Sequence, residues 1–296
     1  MLISFIMPAF KGRYLAQALE SILKQSSDDW ELVVVDDCSP DDIEGIVRSF
    51  NDDRIRYYRN AENIGGRDLV RQWNHCLQYA SGDWVVLAGD DDLYLPEFAQ
   101  TVAALAARYP QVKLIRSRVE QIDGEGRHLW DDATLPEYLD KMEYFKAWMD
   151  ARIFDCIGNF AFRRDALTAI GGFVNLPCAF GTDIITPVLL SSEGAANTDG
   201  MLFRFRQSDI HLSSDSSKFP QKMAGITGMY DGFSRIGYLA PFQQALHKKC
   251  IYDYFNLVVR HVGIGELFPM LRLCTNATVA EKAMMVARWI KRRLKS

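Results

Sequence analysis

The sequence predicts an α/β fold: a single, mostly parallel sheet flanked by helices, with a helical extension at the C-terminal end. Three observations carry this. The first hundred residues alternate short β-rich runs with segments of helical periodicity, the pattern of βαβ units. A chain of 296 residues with 48% apolar side chains can bury a large core. Beyond Phe203-Arg204-Phe205-Arg206 the composition passes through a Ser/Asp-rich loop, 208–217, into a region that reads as helix.

The strand candidates are 3–7, 31–36, 54–58 and 84–88. Between the first two, Leu15, Ala18, Leu19, Ile22 and Leu23 recur at helical spacing, and so do Leu69, Trp73, Cys76 and Leu77 between the last two. Right-handed crossovers place ligands in the crevice beyond the carboxyl ends of such strands. Three of those ends are polar enough to carry chemistry: Pro8-Ala9-Phe10, Asp36-Asp37-Cys38-Ser39 and Gly89-Asp90-Asp91-Asp92. Further on, 113–129 reads as two strands around the turn Asp123-Gly124-Glu125-Gly126. A helix is expected over 136–150, then a strand running into a helix from 158 and ending at Gly171-Gly172-Phe173. A soft boundary is placed near Pro220, and no internal repeat is evident.

Composition excludes several classes. The formal net charge of -4 gives no overall basic bias for a phosphate backbone, so no nucleic-acid partner is expected. The six cysteines form no C-x-x-C pair and no cluster with His, which argues against zinc and against a disulfide framework; they read as buried small hydrophobes in a reducing compartment. The apolar N-terminus lacks a positively charged leader region and fits a buried first strand. No apolar run reaches the ~18 residues of a membrane span. A soluble, cytoplasmic protein is expected.

The sharpest local signal is Asp90-Asp91-Asp92, since adjacent carboxylates after an apolar strand repel one another unless a cation or solvent offsets them. Mg²⁺ or Mn²⁺, held by one or two carboxylates and the oxygens of a bound diphosphate, suits this loop. A bare acidic triplet is also an ordinary solvated turn capping the next helix. Asp36-Asp37 ends another strand, where a carboxylate can accept from a base N–H or a ribose hydroxyl, or simply cap a turn. In Glu62-Asn63-Ile64-Gly65-Gly66-Arg67, two glycines permit close backbone approach and Arg67 can stack on a base or bond a phosphate. Trp73 and Asn74 read as packing residues.

Together these runs resemble family 2 glycosyltransferases. The resemblance rests on residues 4–10, 19–25, 31–39, 62–74 and 81–84 leading into Asp90-Asp91-Asp92, in family order and spacing over about the first hundred residues. It implies the GT-A fold, a Rossmann-like sheet, and inverting transfer from a nucleotide-sugar, with a UDP-sugar expected, to a glycan or lipid-linked acceptor with Mn²⁺ or Mg²⁺. On this resemblance 1–110 is the nucleotide-sugar half, 111–219 the acceptor-side half of the same domain, and 220–296 a helical C-terminal region. It places Pro8, Ala9, Phe10, Asp37, Arg67 and Asp90 at the nucleotide-sugar: Asp37 like the aspartate pairing with uracil, Arg67 beside the base, Ala9 as a backbone contact, and Asp90 at the ribose. Asp91, with Asp92 beside it, resembles the metal-binding position. Gly89 stands where many relatives carry the first Asp of a D-x-D motif, so the division of work among Asp90, Asp91 and Asp92 stays open.

In the second half, 158–173 and Gly181-Thr182-Asp183 resemble the acceptor-side segment, with Asp183 in the place of the catalytic base although relatives often have Glu where Thr182 stands. Alone, Asp183 reads equally as a helix cap. Arg206 and His211 are candidate diphosphate or acceptor contacts; a lone Arg or His at a strand end is more often structural. The Gln-x-x-Arg-Trp motif of processive synthases is incomplete, since Met285 precedes Arg288-Trp289, so transfer of one sugar is expected. The basic tail 277–296 is consistent with peripheral membrane contact, or with a packed helix whose basic face is solvated. Two other readings stand beside this one: a non-catalytic sugar-nucleotide or glycan-binding protein on the same scaffold, and a nucleotidyltransferase, for which no Gly-rich phosphate loop follows the first strand.

Overall fold

The computed structural model describes residues 1–154, 156–208 and 218–294. The four expected strands form β1 (Ile3–Ala9), β2 (Trp30–Asp36), β3 (Ile55–Arg59) and β4 (Trp84–Leu87), paired in parallel in the order β3-β2-β1-β4. Burial explains their composition. Phe5, Ile6, Met7, Leu32, Val33, Val34 and Val35 are all inaccessible, as strands covered on both faces require. The crossovers are helices α1 (Leu15–Leu23), α2 (Ile43–Arg48) and α3 (Leu69–Leu77). α1 buries Leu15, Ala18, Leu19 and Ile22, the residues its periodicity marks. Asp42 and Asp68 cap α2 and α3, accepting from the N–H groups of Gly45 (2.9 Å) and Arg71 (3.0 Å).

Beyond β4 the sheet becomes mixed. Strand β5 (Leu93–Tyr94) and helix α4 (Phe98–Arg108) lead to β6 (Leu114–Ile122) and β7 (His128–Asp131), the antiparallel pair expected around the 123–126 turn. Next come β8 (Tyr138–Leu139), α5 (Lys141–Met149), β9 (Phe160–Arg163) and α6 (Arg164–Ala169). After α7 (Thr182–Leu190), strand β10 (Ala195–Arg206) lies parallel to β6. The full order is β3-β2-β1-β4-β9-β6-β10-β5.

Two elements differ from the sequence reading. The helix expected over 136–150 starts only at Lys141. Asp140 accepts from the N–H groups of Met142 and Glu143 while the Glu143 carboxylate accepts from the Asp140 N–H, a capping box that fixes the start there. The preceding Tyr138–Leu139 pair with β10 instead. β10, which ends at Arg206, begins at Ala195, upstream of the Phe203-Arg204-Phe205-Arg206 run that the sequence singles out; the polar Asn197 and Thr198 in its buried first half donate to the carbonyls of Pro136 (3.0 Å) and Gly200 (2.7 Å).

The chain divides into two compact units, Met1–Val174 with Thr186–Ile210 and Asn175–Ile185 with His211–Ser296. The whole sheet belongs to the first. The second carries α8 (Phe219–Ser234), α9 (Gln243–His261), α10 (Ile264–Leu273) and α11 (Val279–Arg293), packed around Met223, Phe233, Tyr254, Val258 and Cys274. None of the six cysteines is in a disulfide; four are buried, whereas Cys38 and Cys178 are partly exposed, both with positive φ. Among the described residues no helix is long and apolar enough to cross a membrane.

Candidate active site

The carboxyl ends of β1, β2 and β4 are tied together by their own polar groups. The Asp37 N–H donates to the Ala9 carbonyl (2.9 Å), and the Ser39 hydroxyl to the Phe10 carbonyl (2.6 Å). From the other side, one oxygen of Asp90 accepts from the N–H groups of both Phe10 (2.9 Å) and Lys11 (2.8 Å). The acidic loop after β4 is thereby fixed to the end of β1.

Both members of the first acidic pair are hydrogen-bonded by their own surroundings. Asp36 accepts from the Ser39 N–H (2.7 Å), the Tyr57 hydroxyl (2.7 Å) and the Arg59 guanidinium. Burial, with the Asp36 carboxylate beside it, pushes the Tyr57 hydroxyl up to about 12. Asp37 accepts from the Asn60 amide (2.8 Å) and the N–H groups of Ile64 (2.8 Å) and Gly65 (2.7 Å), which docks the 62–67 loop onto β2. A Cβ at Gly65 would lie 2.9 Å from that carboxylate, so the close approach needs glycine. Arg67, at the end of the same loop, leaves its side chain 80% exposed and pairs with Glu62 at 3.4 Å.

The second acidic group is less compensated. Burial and the charge of Asp91 push Asp90 up to about 6, against the Phe10 and Lys11 N–H groups. Burial raises Asp91 too, opposed by the Lys11 and Arg206 cations. Asp92 is raised well above the carboxylate range by burial and by Asp91 and Asp90, although it accepts from the Arg206 N–H (3.0 Å). Carboxylate oxygens of Asp92 and Asp91 lie 2.9 and 3.1 Å from where a Cβ on Gly89 would stand. Two carboxylates thus converge over Gly89, and a side chain there would crowd both. Among the described residues no group of three or more His, Cys, Asp or Glu side chains gathers as a metal site. Two converging, mutually repelling carboxylates nevertheless fit a divalent cation that takes its other ligands from a diphosphate and water.

Arg206, expected as a candidate diphosphate or acceptor contact, is turned inward and only 1% exposed. Its guanidinium donates to the carbonyls of Asp91 (2.8 Å) and Gly124 (3.0 Å) and to the Gln17 side chain (2.9 Å), and lies 4.5 Å over the Tyr14 ring. It anchors the acidic loop from behind. Lys11, Tyr14, Gln17 and Asn60 escaped the sequence reading. Lys11 and Asn60 had a signal, each being the polar residue just past a strand end; Tyr14 and Gln17 carried none.

The structure therefore brings Pro8, Ala9, Phe10, Asp37, Asp90, Asp91, Asp92 and Arg206 to one group of strand ends, with Arg67 on the loop docked to Asp37. Asp183 belongs to the other unit. It is the second residue of α7, after a turn in which Cys178 (φ 46°), Ala179 (φ 58°) and Gly181 (φ 92°) all have left-handed backbone. Non-glycine residues in that region cost energy and cluster at functional sites. Pro187 removes the N–H that would meet the Asp183 carbonyl within α7. His211 lies outside the described residues. In the Gly171-Gly172-Phe173 turn, Asn74 exchanges hydrogen bonds with the Phe173 backbone (3.0 and 2.8 Å), a positioning task beyond the packing role its sequence suggests.

Residues 4–171 match the family described as Glycosyl transferase family 2. The chain belongs to that family. Among curated relatives, the UDP-Glc:alpha-D-GlcNAc-diphosphoundecaprenol beta-1,3-glucosyltransferase of Escherichia coli is 36% identical over 95 residues, 32% of this chain and 36% of the relative. The GalNAc(5)-diNAcBac-PP-undecaprenol beta-1,3-glucosyltransferase of Campylobacter jejuni is 37% identical over 93 residues, 30% and 29% of the two chains. Such matches span 29% to 40% of the relatives' length. Among solved structures, residues 1–349 of S. aureus TarS with UDP-GlcNAc superpose with a TM-score of 0.76 at 17% identity, covering 92% of this chain and 79% of that one. A mannosyltransferase from Pyrobaculum calidifontis with GDP-Man and Mn²⁺ gives 0.55 at 17%, covering 99% and 80%. The fold is of the GT-A type.

Proposed function

We propose that this family 2 protein is an inverting glycosyltransferase that moves one sugar from a nucleotide-sugar, a UDP-sugar, to a hydroxyl of a glycan or lipid-linked acceptor at the cytoplasmic face of the membrane. The observation that carries it is the convergence of Asp91 and Asp92 over Gly89 in a loop that Asp90 fastens to the end of β1. A relative named for a UDP-Glc donor and a diphosphoundecaprenol-linked acceptor, a second named for a PP-undecaprenol-linked acceptor, and a neighbour holding UDP-GlcNAc support the donor and acceptor classes.

In this reading Pro8, Ala9, Phe10 and Asp37 border the nucleoside, with the Asp37 carboxylate facing the base and Arg67 closing over it from the exposed loop. Asp90 faces the ribose. Asp91 and Asp92 hold the cation, Mn²⁺ or Mg²⁺, which when bound supplies Lewis-acid stabilisation of the departing diphosphate. Lys11 adds positive charge next to the same carboxylates. Asp183 removes the proton from the acceptor hydroxyl as its oxygen attacks the anomeric carbon. The glycosidic bond to the diphosphate breaks on the opposite face, and no covalent glycosyl-enzyme forms. Base catalysis of this kind contributes roughly 10² to 10⁴ in rate. The left-handed backbone before Asp183 supports a constrained position for that group.

The test is hydrolysis and transfer with a panel of UDP-sugars in Mn²⁺. One donor is expected to be consumed by the native chain, and Asp183→Asn is expected to bind that donor equally while losing transfer by a factor on the order of 10² or more. Undiminished transfer by Asp183→Asn would remove it as the base. Donor binding with no turnover at all would favour the non-catalytic reading.

A further inference from the structure

We infer that α10 and α11 form a docking surface for an anionic lipid bilayer. α11 buries Met285 and Trp289 in the second unit, and the Trp289 indole N–H donates to the Val262 carbonyl at 2.8 Å. Burial of Trp289 accounts for the incomplete Arg-Trp motif as packing. The outer side of the helix is also apolar. Ile290 is 46% exposed and Leu294 83%, one turn apart, and exposed Ala283 and Ala287 precede them at helical spacing. α10 repeats the arrangement: Leu267, Met270 and Leu271 are buried, while Ile264 (77%) and Phe268 (66%), again one turn apart, face solvent. The Arg293 guanidinium donates at 3.1 Å to the same Val262 carbonyl, so the last turn of α11 sits at the start of α10, two residues from Ile264. One exposed Leu needs no explanation, but four large apolar side chains on adjoining helix ends mark an interaction surface.

Charge selects the occupant. Residues 282–294 contain Lys282, Arg288, Lys291, Arg292 and Arg293 and no acid, in a chain whose net charge is -4. The attraction to an anion is therefore local to this face. A second copy docked isologously would set these cations against one another. A nucleic acid would leave Ile264, Phe268, Ile290 and Leu294 without an apolar partner. An anionic bilayer meets both requirements, with headgroups opposite the basic side chains and acyl chains under the apolar ones.

The test is sedimentation of the full-length protein with phosphatidylcholine vesicles, with and without phosphatidylglycerol. The protein is expected to pellet only with phosphatidylglycerol and to be released by salt. Lys291→Ala with Arg292→Ala should lower partitioning roughly 25-fold, at about fivefold per basic residue. Phe268→Ser with Leu294→Ser should lower it on the order of 100-fold. All four positions are exposed, so the thermal midpoint should hold in both variants. Absence of pelleting, equal pelleting on neutral vesicles, or unaltered pelleting of folded variants would overturn the inference. So would a concentration-dependent dimer abolished by Phe268→Ser with Leu294→Ser and no vesicle binding, which would assign the face to a second copy. Pelleting requires no sugar transfer, so its failure is distinct from failure of the proposed reaction.

Discussion

Asp36-Asp37 and Asp90-Asp92 look alike in sequence, each an acidic run closing an apolar strand, yet the protein treats them differently. Asp36 is met by Arg59, Tyr57 and the Ser39 N–H, and Asp37 by Asn60 and two backbone N–H groups. Asp91 and Asp92 have the distributed charge of Lys11 and Arg206, but they converge on one point and burial raises both. Where a fold satisfies its carboxylates they hold loops; where it leaves two facing each other, an external cation has a place. On the proposed function the first pair shapes the site, with Asp37 also bordering the base, and the second holds the cation.

The largest effect should separate the two directly. Asp91→Ala should abolish metal-dependent nucleotide binding, a loss of about 100-fold or more by titration, with little change in thermal midpoint. Asp36→Ala should do the reverse, costing about 3 kcal/mol of stability as Arg59 and Tyr57 lose their shared acceptor. Equal effects on both readouts would erase the distinction. Arg206→Met should lie between them, lowering stability by about 2 to 4 kcal/mol and weakening nucleotide binding as the 90–92 loop loosens. Arg206→Lys should rescue it poorly, since one ammonium cannot span the Asp91, Gly124 and Gln17 acceptors. Gly89→Ala should weaken metal-dependent binding about tenfold with a smaller change in unfolding, because its Cβ would press on the two carboxylates rather than on the core.

The smallest effect concerns a third carboxylate, at the opposite end of β2. Burial acts to raise Glu31, but the Ser4 hydroxyl (2.5 Å), the Ser81 N–H (2.7 Å) and Arg56 (2.6 Å) outweigh it and hold the group below its usual range. Its folded-state value lies below the unfolded one. Its contribution is therefore present above the unfolded value and is lost as pH falls through the folded one. Glu31→Gln should flatten that acid-range loss by less than about 1 kcal/mol, measured as thermal midpoint against pH.

Much of this was legible in the sequence. The strands at the start of β1 to β4 and the crossover helices were readable because their apolar residues follow the burial pattern almost position by position. The strand-end acids stood out for the same reason, as charge where an apolar run stops. What was not legible depends on partners distant in sequence. Arg206 reads as a solvated strand end until Tyr14, Gln17, Asp91 and Gly124 are found around it. The start of β10 has too many small and polar residues to read as a strand, and it becomes one through β6 and β8. The turn before Asp183 is unusual for its backbone dihedrals, which Cys178 and Ala179 do not announce.

The central claim is that the 90–92 loop needs a cation to hold a nucleoside diphosphate. The most direct measurement is calorimetric titration of the chain with UDP, GDP, dTDP and CMP, each with Mn²⁺ and again with EDTA. UDP is expected to bind with Mn²⁺ and to lose that binding in EDTA and in Asp91→Ala. UDP binding that is equally tight in EDTA would contradict the claim, leaving Lys11 and the strand-end N–H groups, without metal, as the diphosphate's partners.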